Sequence, residues 1–249
     1  MPAQRTLLDG DTGQKFDSLE LLAGAAAAGG VEPPAVASSV TDDFLAGTTS
    51  SLLGWMEDDA GMGAGVQLVD QGLDARHQGL ARAQTGSTAT GRAALRLANT
   101  QSNVGAGGST LDLALLVRLE DLSDVAEEYV VHIGLSDVVA NGILWIYDRR
   151  DVGPTWQAAG IVGGVPVLVD TGVPVVAGAW IHLRMLLTPA EGARFYLDGA
   201  LVATIAQGSL PDETVGMGAS FSIEKRIGMM QRRLTCDYVQ IAYTFDPPR

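Results

Sequence analysis

The chain is short of cysteine, of basic residues and of long apolar runs, and each shortage excludes a class of protein. The single cysteine, Cys236, excludes an internal disulfide and any zinc site built from cysteines. Sixteen basic residues stand against 29 acidic ones, and the net charge of −13 argues against a nucleic-acid surface and against attraction to an anionic membrane. No apolar run reaches the roughly 18 residues of a membrane span. Nor does the N-terminus have the apolar stretch of a signal peptide. We expect a soluble protein made in a cytoplasm.

The residues that are abundant predict an all-β protein. Apolar residues make up 47% of the chain, which is enough for a packed core, and 31 glycines favour tight turns over long helices. From about Thr41 onward, apolar and polar residues alternate at a period of two, most clearly in segments that begin at Leu111, Tyr129 and Ile181. The Asp198-Gly199 pair predicts a type I′ hairpin turn. About a dozen such strands predict an antiparallel sandwich of two sheets.

Residues 1–40 have a different pattern, that of a short helix and an extended linker. Asp17-Ser18-Leu19-Glu20 has the spacing of a capping box, and Gly29-Gly30 would end the helix. A helix this short needs a surface to lie on. Two interpretations are open: a flexible terminus, and an arm that orders against another subunit. We adopt the arm, with residues 41–249 as the folded domain. The side chains expected to make the assembly contacts are Phe16, Leu19, Leu22, Val31 and Val36.

One pair of segments resembles a known fold family. Trp180–Arg184 and, after a polar gap, Arg194–Ile205 look like the Trp-x-x-Leu and Phe-Tyr-x-Asp-Gly-x-Leu-Val pattern of laminin-G and concanavalin A-like jelly rolls. The resemblance implies an antiparallel two-sheet jelly-roll sandwich, preceded here by an N-terminal arm that contains a short helix.

A second resemblance spans residues 41–245, which is most of the chain. A series of short motifs is similar, in its order, to a group of bacteriophage structural proteins with a jelly-roll domain, although Gln78 stands where that group often has proline. The resemblance implies a virion protein without enzymatic activity: a capsid decoration, a head fibre or spike, or a tail appendage. It also implies a homo-oligomer, with a trimer favoured, that the N-terminal arm attaches to other virion proteins. The motifs are Asp42-Asp43-Phe44, Gly54-Trp55, His77-Gln78-Gly79, Thr85-Gly86-Ser87, Arg96-Leu97, His132-Ile133-Gly134-Leu135 and Asp237-Tyr238-Val239.

Catalytic patterns are lacking, although many jelly rolls are glycoside hydrolases. Retaining enzymes of this kind need two carboxyl groups about 5–5.5 Å apart, and the Glu-x-Asp-x-x-Glu strand that supplies them is not present. The nearest acidic cluster, Glu120–Glu128, has the wrong spacing and is interpreted as a solvated loop. His77, His132 and His182 are isolated, and no Gly-x-Ser-x-Gly turn occurs. We predict no enzymatic activity, with a diverged glycoside hydrolase as the third hypothesis.

A cofactor is not predicted either. Calcium is the one ion to consider, because related jelly rolls bind it with aspartates at sheet rims. The spacing of the candidate ligands demands no metal, and their places in turns are a sufficient explanation. These candidates are Asp137, Asp148, Asp151 and Asp170.

The alternative function is a glycan-binding module that attaches to a host surface. Trp145 and Tyr147 lie two residues apart, so they share one face of a strand. If Leu144 and Ile146 face the core, these rings line an open face suited to sugars; in the other interpretation the rings themselves pack between the sheets. The predicted glycan contacts are Trp145, Tyr147, Arg149, Arg150 and Trp156.

Overall fold

The structure, a computed structural model, describes residues 36–42, 44, 55–69, 79–97, 109–137, 140–212 and 214–245. Within those ranges the chain forms fifteen β-strands and one 3-10 turn at Gln207–Ser209. No helix in the described part has the length and apolar character needed to cross a membrane. The strands are β1 Val36–Asp42, β2 Trp55–Ala60, β3 Ala64–Val69, β4 Leu80–Thr85, β5 Gly91–Leu97, β6 Thr110–Leu119, β7 Tyr129–Ser136, β8 Gly142–Asp148, β9 Thr155–Val162, β10 Val165–Pro174, β11 Trp180–Thr188, β12 Gly192–Leu197, β13 Ala200–Ile205, β14 Gly218–Lys225 and β15 Arg233–Phe245.

The strands form two antiparallel sheets, which confirms the predicted all-β sandwich. The eight-stranded sheet has the order β13-β12-β11-β6-β15-β4-β3, with β1 also paired to β15. The seven-stranded sheet has the order β10-β9-β8-β7-β14-β5-β2. Some neighbours in the sheets are far apart in sequence, as in β14 between β5 and β7, so the core joins distant parts of the chain.

Alternation places the core between the two sheets. In β6 the residues Leu111, Leu113 and Leu115 are buried, with 0–3% of each side chain exposed. The two sheets meet through aromatic rings: Trp145 of β8 and Phe195 of β12 stand edge to face with ring centroids 4.9 Å apart. Cys236 is fully buried in the same core, where its thiol packs as a small apolar group.

The hairpin predicted at Asp198-Gly199 is present between β12 and β13. Asp198 and Gly199 have φ angles of 47° and 82°, the left-handed values that a type I′ turn requires at both central positions. The Asp198 carboxylate also accepts a hydrogen bond of 2.9 Å from the backbone amide of His182 on β11. This hydrogen bond therefore connects the turn between β12 and β13 to the neighbouring strand β11.

Strand β15 joins the two ends of the domain. Along one side it pairs with β6, and along the other it pairs first with β4 and then with β1, on either side of an irregularity at Asp237. β1 spans residue 40, the predicted end of the arm, and belongs to the sheet. The predicted assembly contacts Phe16, Leu19, Leu22 and Val31 lie outside the described residues, as does the side chain of Val36, so their role stays a prediction.

Two motifs of the ordered series meet in a buried corner. The Asp42 carboxylate accepts hydrogen bonds from the backbone amide of Phe44 (2.9 Å) and from the indole nitrogen of Trp55 (2.8 Å). The Phe44 and Trp55 rings lie 5.8 Å apart, and each lies 6.3 Å from Phe221 of β14. These motif residues therefore stabilise the corner at which β1 joins the sandwich.

Candidate functional site

The predicted glycan-binding aromatics lie in the core, which corrects that assignment. Trp145, Tyr147 and Trp156 are 0–1% exposed, because inward positions of β8 and β9 pack against the opposite sheet. Their neighbours Leu144 and Ile146 take the outward positions. The interpretation in which the rings pack between the sheets is therefore the correct one, and a sugar has no access to them.

The two predicted arginines lie in the turn after β8. Arg149 donates a 2.9 Å hydrogen bond to the Ser123 carbonyl, and Arg150 pairs with Glu128 at 3.2 Å. Both residues are exposed. Neither arginine lines the groove on the outward face of the seven-stranded sheet, and their role in binding glycans stays a prediction.

The acidic stretch that was predicted to be a solvated loop holds the end of the sandwich together. Glu127 accepts hydrogen bonds from the backbone amides of Met229 and Met230, at 3.0 Å and 2.9 Å. Glu120 pairs with Arg82 and Arg233. These carboxylates connect three parts of the chain, so the solvated-loop interpretation holds only for the exposed members Asp121 and Asp124, which touch Arg232 at 3.8–3.9 Å.

A groove of about 300 Å³ crosses the outward face of the seven-stranded sheet, the face that points away from the core. Five adjacent strands contribute side chains to it, in the spatial order β2, β5, β14, β7 and β8, and Ile161 of β9 adds one more. Two turns close one side. The lining residues are Asp58, Arg92, Ala94, Arg96, His132, Ser136, Ala140, Asn141, Leu144, Ile161, Gly164, Ser220, Ser222 and Glu224.

Small residues form the floor of the groove. In the ladder Ser222 stands between Ala94 and His132, and Ser220 stands between Arg96 and Gly134. Gly134 has a φ of +144°, and a Cβ there would lie 2.3 Å from the Ile143 carbonyl oxygen. The missing side chain at this position lets β8 approach closely and keeps the centre of the floor low.

Charges occupy one side of the groove in a paired arrangement. Arg92 on β5 forms a 3.0 Å ion pair with Asp58, and it faces Glu224 of β14 across the ladder. Arg96, at the other end of β5, has no ion-pair partner among the described residues. The groove thus offers positive charge along β5 and negative charge on its two neighbouring strands, β2 and β14.

His132 lies near the middle of the groove and is uncharged at neutral pH. Burial, with Arg226 and Arg92 nearby, lowers its pKa to about 4. A neutral imidazole has one donor and one acceptor nitrogen. Its outward position follows from alternation with the buried residues Val131 and Ile133 of β7.

The far side of the groove is apolar. Val130, Leu144, Ile146 and Ala159 form a small buried cluster on this outward face, and Ile161 packs against it. Aliphatic surface therefore stands beside the hydroxyls and the imidazole.

Two connected turns form the wall of the groove. Gly164 donates a hydrogen bond to the Ala140 carbonyl at 2.7 Å, and Gly163 donates one to the Asn141 side-chain oxygen at 3.0 Å. The Asp137 carboxylate accepts from the backbone amides of Ala140 and Asn141, both at 2.9 Å. This wall is held by its own hydrogen bonds.

Those bonds also account for Asp137, and the other aspartates considered as candidate calcium ligands have comparable partners. Asp148 and Asp151 both pair with Arg226, at 2.9 Å and 2.5 Å. Asp170 accepts from Thr155 at 2.8 Å and from Gln157 at 3.0 Å. Within the described ranges no group of three or more histidine, cysteine, aspartate or glutamate side chains is arranged to hold a metal.

Sequence reasoning missed most of the groove. Its signal was present, since Arg92, Ala94 and Arg96 alternate with buried residues of β5, and Ser220 and Ser222 do the same in β14. Alternation shows which residues face outward. It does not show that β14 lies between β5 and β7, and that order is what brings the residues together.

No family model matches the chain, and none of the curated proteins matches it. Among solved structures, a protein of unknown function from Shewanella oneidensis MR-1 is 10% identical, with a TM-score of 0.60 over 88% of this chain and 91% of its own. The endo-1,3-beta-glucanase from Streptomyces sioyaensis is 15% identical, with a TM-score of 0.55 over 90% and 100%. Peanut lectin is 13% identical, with a TM-score of 0.55 over 84% and 97%. The predicted concanavalin A-like jelly-roll fold is confirmed, and it is shared with a lectin and a glycoside hydrolase.

Proposed function

We propose that the chain binds carbohydrate in the groove on the outward face of the seven-stranded sheet. One observation supports this most: the groove combines neutral hydrogen-bonding groups with an aliphatic wall. A sugar ring has hydroxyls at its edge and C–H groups on its faces, so it needs both kinds of surface. The fold shared with a lectin and a glucanase agrees with the proposal.

The geometry suggests how a sugar would be held. The hydroxyls of Ser220 and Ser222 and the neutral imidazole of His132 can each donate and accept hydrogen bonds. Leu144 and Ile161 would contact the C–H face from the other side. A cavity of about 300 Å³ is at the small end of ligand sites and suits one or two sugar units.

Filling the floor of the groove tests the proposal. We expect Ser222→Met to weaken binding to a responsive glycan by more than about tenfold, because the longer side chain occupies the space between Ala94 and His132. The glycan is first identified on an array of oligosaccharides, and affinities are then measured by calorimetry. The matched control is Thr204→Met, on the outward face of the other sheet. Equal affinity of the Ser222→Met variant and the wild type, with both folded, would contradict the proposal.

We further infer that binding occurs without hydrolysis. Among the described groove residues the carboxylates are Asp58 and Glu224, and β5 separates their strands, which places the strands about 10 Å apart. Asp58 is also paired with Arg92. Release of reducing sugar from a 1,3-β-glucan, abolished by Glu224→Gln, would show that this inference is wrong.

The resemblance to phage structural proteins supports a second proposal, display of the jelly roll on a virion as a homo-oligomer. The specific observation is the ordered motif series, whose members Asp42 and Trp55 form a contact in the fold. In this proposal residues 1–35 attach the domain to other virion proteins, with a trimer favoured.

The boundary of β1 sharpens the test of that attachment. Deletion of residues 1–35 keeps β1 in the sheet, whereas a deletion to residue 40 would remove most of it. We expect the shorter deletion to leave a folded domain that no longer joins particles. Normal incorporation of the truncated chain into particles would exclude residues 1–35 as the anchor.

A further inference from the structure

Three arginines converge on the outward face of the eight-stranded sheet, on the side of the molecule opposite the groove. Arg82 of β4 and Arg118 of β6 are the ladder partners of Thr235, which lies between them on β15. Arg233 is two residues before Thr235, on the same face of that strand. Since adjacent strands are about 4.8 Å apart, the three long side chains reach a common region above Thr235.

Within the described part of the chain, one carboxylate forms ion pairs with this cluster. Glu120 lies 3.1 Å from Arg82 and 3.0 Å from Arg233. Arg118 instead stacks on Trp180, with its guanidinium carbon 5.1 Å from the ring centroid, and has no carboxylate partner among the described residues. Three positive charges against one negative leave a local excess of positive charge, in a chain whose net charge is −13.

The positive charges repel one another. Burial lowers the pKa of Arg82, Glu120 raises it, and the neighbouring Arg233 and Arg118 lower it again. Such a cluster costs free energy unless an anion shares it. A bound anion would remove that cost.

The cluster also contains donors without acceptors. The Nε atoms of Arg82, Arg118 and Arg233 are buried and make no hydrogen bond within the described part of the chain. The same holds for the hydroxyl of Thr235, a residue that is 0% exposed. The contact between Arg82 and Glu120 is an ion pair without hydrogen-bond alignment, because neither of its two atoms has a hydrogen-bond partner. Buried donors of this kind are usually satisfied.

We propose that this cluster binds a tetrahedral oxyanion, a sulfate or phosphate group, above Thr235. Small rotations of the three flexible side chains open the region over the hydroxyl. Four oxygens can then accept from guanidinium groups on three strands, which is the planar, charge-assisted recognition that arginine provides. The site takes the same group as a free ion or as an ester on a larger molecule.

Thermal unfolding in sodium sulfate and in sodium chloride, at equal ionic strength, tests the site. We expect sulfate to raise the Tm of the wild type beyond chloride, and Arg118→Gln to weaken the apparent sulfate affinity by about tenfold or more. Arg82→Gln should do the same and serves if Arg118→Gln fails to fold. Arg194→Gln is the matched control: Arg194 also has an unpaired buried Nε and one acidic partner, Glu191, and is not part of the cluster.

A change of opposite sign distinguishes a binding site from a structural ion-pair network. Glu120→Gln removes the competing carboxylate, so we expect it to strengthen sulfate binding several-fold. A network with no ligand predicts no such gain. Dextran sulfate, compared with free sulfate and with uncharged dextran, identifies the source of the group, and tighter binding of either sulfated form supports the site. Equal Tm in sulfate and chloride, or an unchanged response in both arginine variants, would overturn the proposal.

Discussion

The Asp42 carboxylate accepts the indole N–H of Trp55 at 2.8 Å, and this bond joins β1 to the seven-stranded sheet. Asp42 belongs to the eight-stranded sheet, and Trp55 begins β2 at the edge of the other. The bond therefore links the two layers across the corner where the Phe44, Trp55 and Phe221 rings pack. A carboxylate that is 6% exposed is stable there because it has these donors.

Removing this carboxylate should destabilise the fold. Asp42→Ala leaves two buried donors, the Trp55 indole and the Phe44 amide, without their acceptor. We expect a loss of about 3 kcal/mol in the free energy of unfolding, measured by urea denaturation. Asp58→Ala is a control for the loss of an exposed carboxylate. A cost for Asp42→Ala below about 0.5 kcal/mol would mean that the corner is held by ring packing alone.

His132 should make the stability depend on pH in the acid range. Its pKa is lowered from 6.5 to about 4 in the folded chain by burial and by Arg226 and Arg92, so the folded state keeps it neutral. The unfolded chain takes up a proton below pH 6.5, so acidification from pH 6.5 to about pH 4 favours unfolding. The contribution is at most about 3 kcal/mol and is absent above pH 6.5.

The measurement for His132 compares how steeply the free energy of unfolding changes with pH in two proteins. Other groups titrate in the same range, so urea unfolding is followed from pH 7 to pH 4 in the wild type and in His132→Gln. We expect a flatter dependence in the variant. Parallel curves would show that His132 has an ordinary pKa.

Gly134 should tolerate no side chain. A Cβ there would lie 2.3 Å from the backbone oxygen of Ile143, and its φ of +144° is unfavourable for any other residue. We expect Gly134→Ala to lower the free energy of unfolding by about 3 kcal/mol or more. The backbone of β8 must move away from the added carbon, and the alanine is strained at this φ angle. Gly153→Ala is the matched control, with a φ of +101° and no atom within 4 Å of the added carbon. Equal losses for the two variants would show that the close approach of β7 and β8 can relax.

Lys225 should stabilise the fold through hydrogen bonds to two backbone carbonyls. Its ammonium donates to the oxygens of Gly86 (2.8 Å) and Thr88 (3.0 Å), which fixes the turn between β4 and β5 against β14. Lys225→Met keeps most of the length of the side chain and loses both bonds, so we expect a cost of about 2 kcal/mol. Glu224→Gln, at the adjacent exposed position, should change stability little. A Lys225→Met variant as stable as the wild type would show that water replaces the ammonium at these carbonyls.

Local patterns predicted the fold, and long-range order decided the site. The period of two in Leu111–Leu119 and the turn at Asp198-Gly199 depend on residues close in sequence, so both were predicted correctly. Local alternation could not decide whether the Trp145 side chain points into the core or outward. β8 is buried on both faces, with all seven of its residues buried, and such a strand shows no polar side.

The groove depends on contacts that no local pattern contains. Ser222 and His132 are about 90 residues apart and meet because β14 pairs with β7. The arginine cluster has the same origin, since Arg82 and Arg118 meet only through Thr235 of β15. Alternation places His132 on the outward face, and strand order supplies its neighbours.

The pairing of β1 with β15 also determines how the domain responds to force. Val36 is the partner of Phe245, and from there the ladder runs to Asp42 and Val239. Tension applied through Val36 and Phe245 therefore acts at one end of an antiparallel pair, whose hydrogen bonds lie perpendicular to the strands. They are loaded one after another, so β1 peels away at low force while β15 stays paired with β6. A domain attached at these two points would give way gradually at its edge, and its core would be spared until β1 had detached.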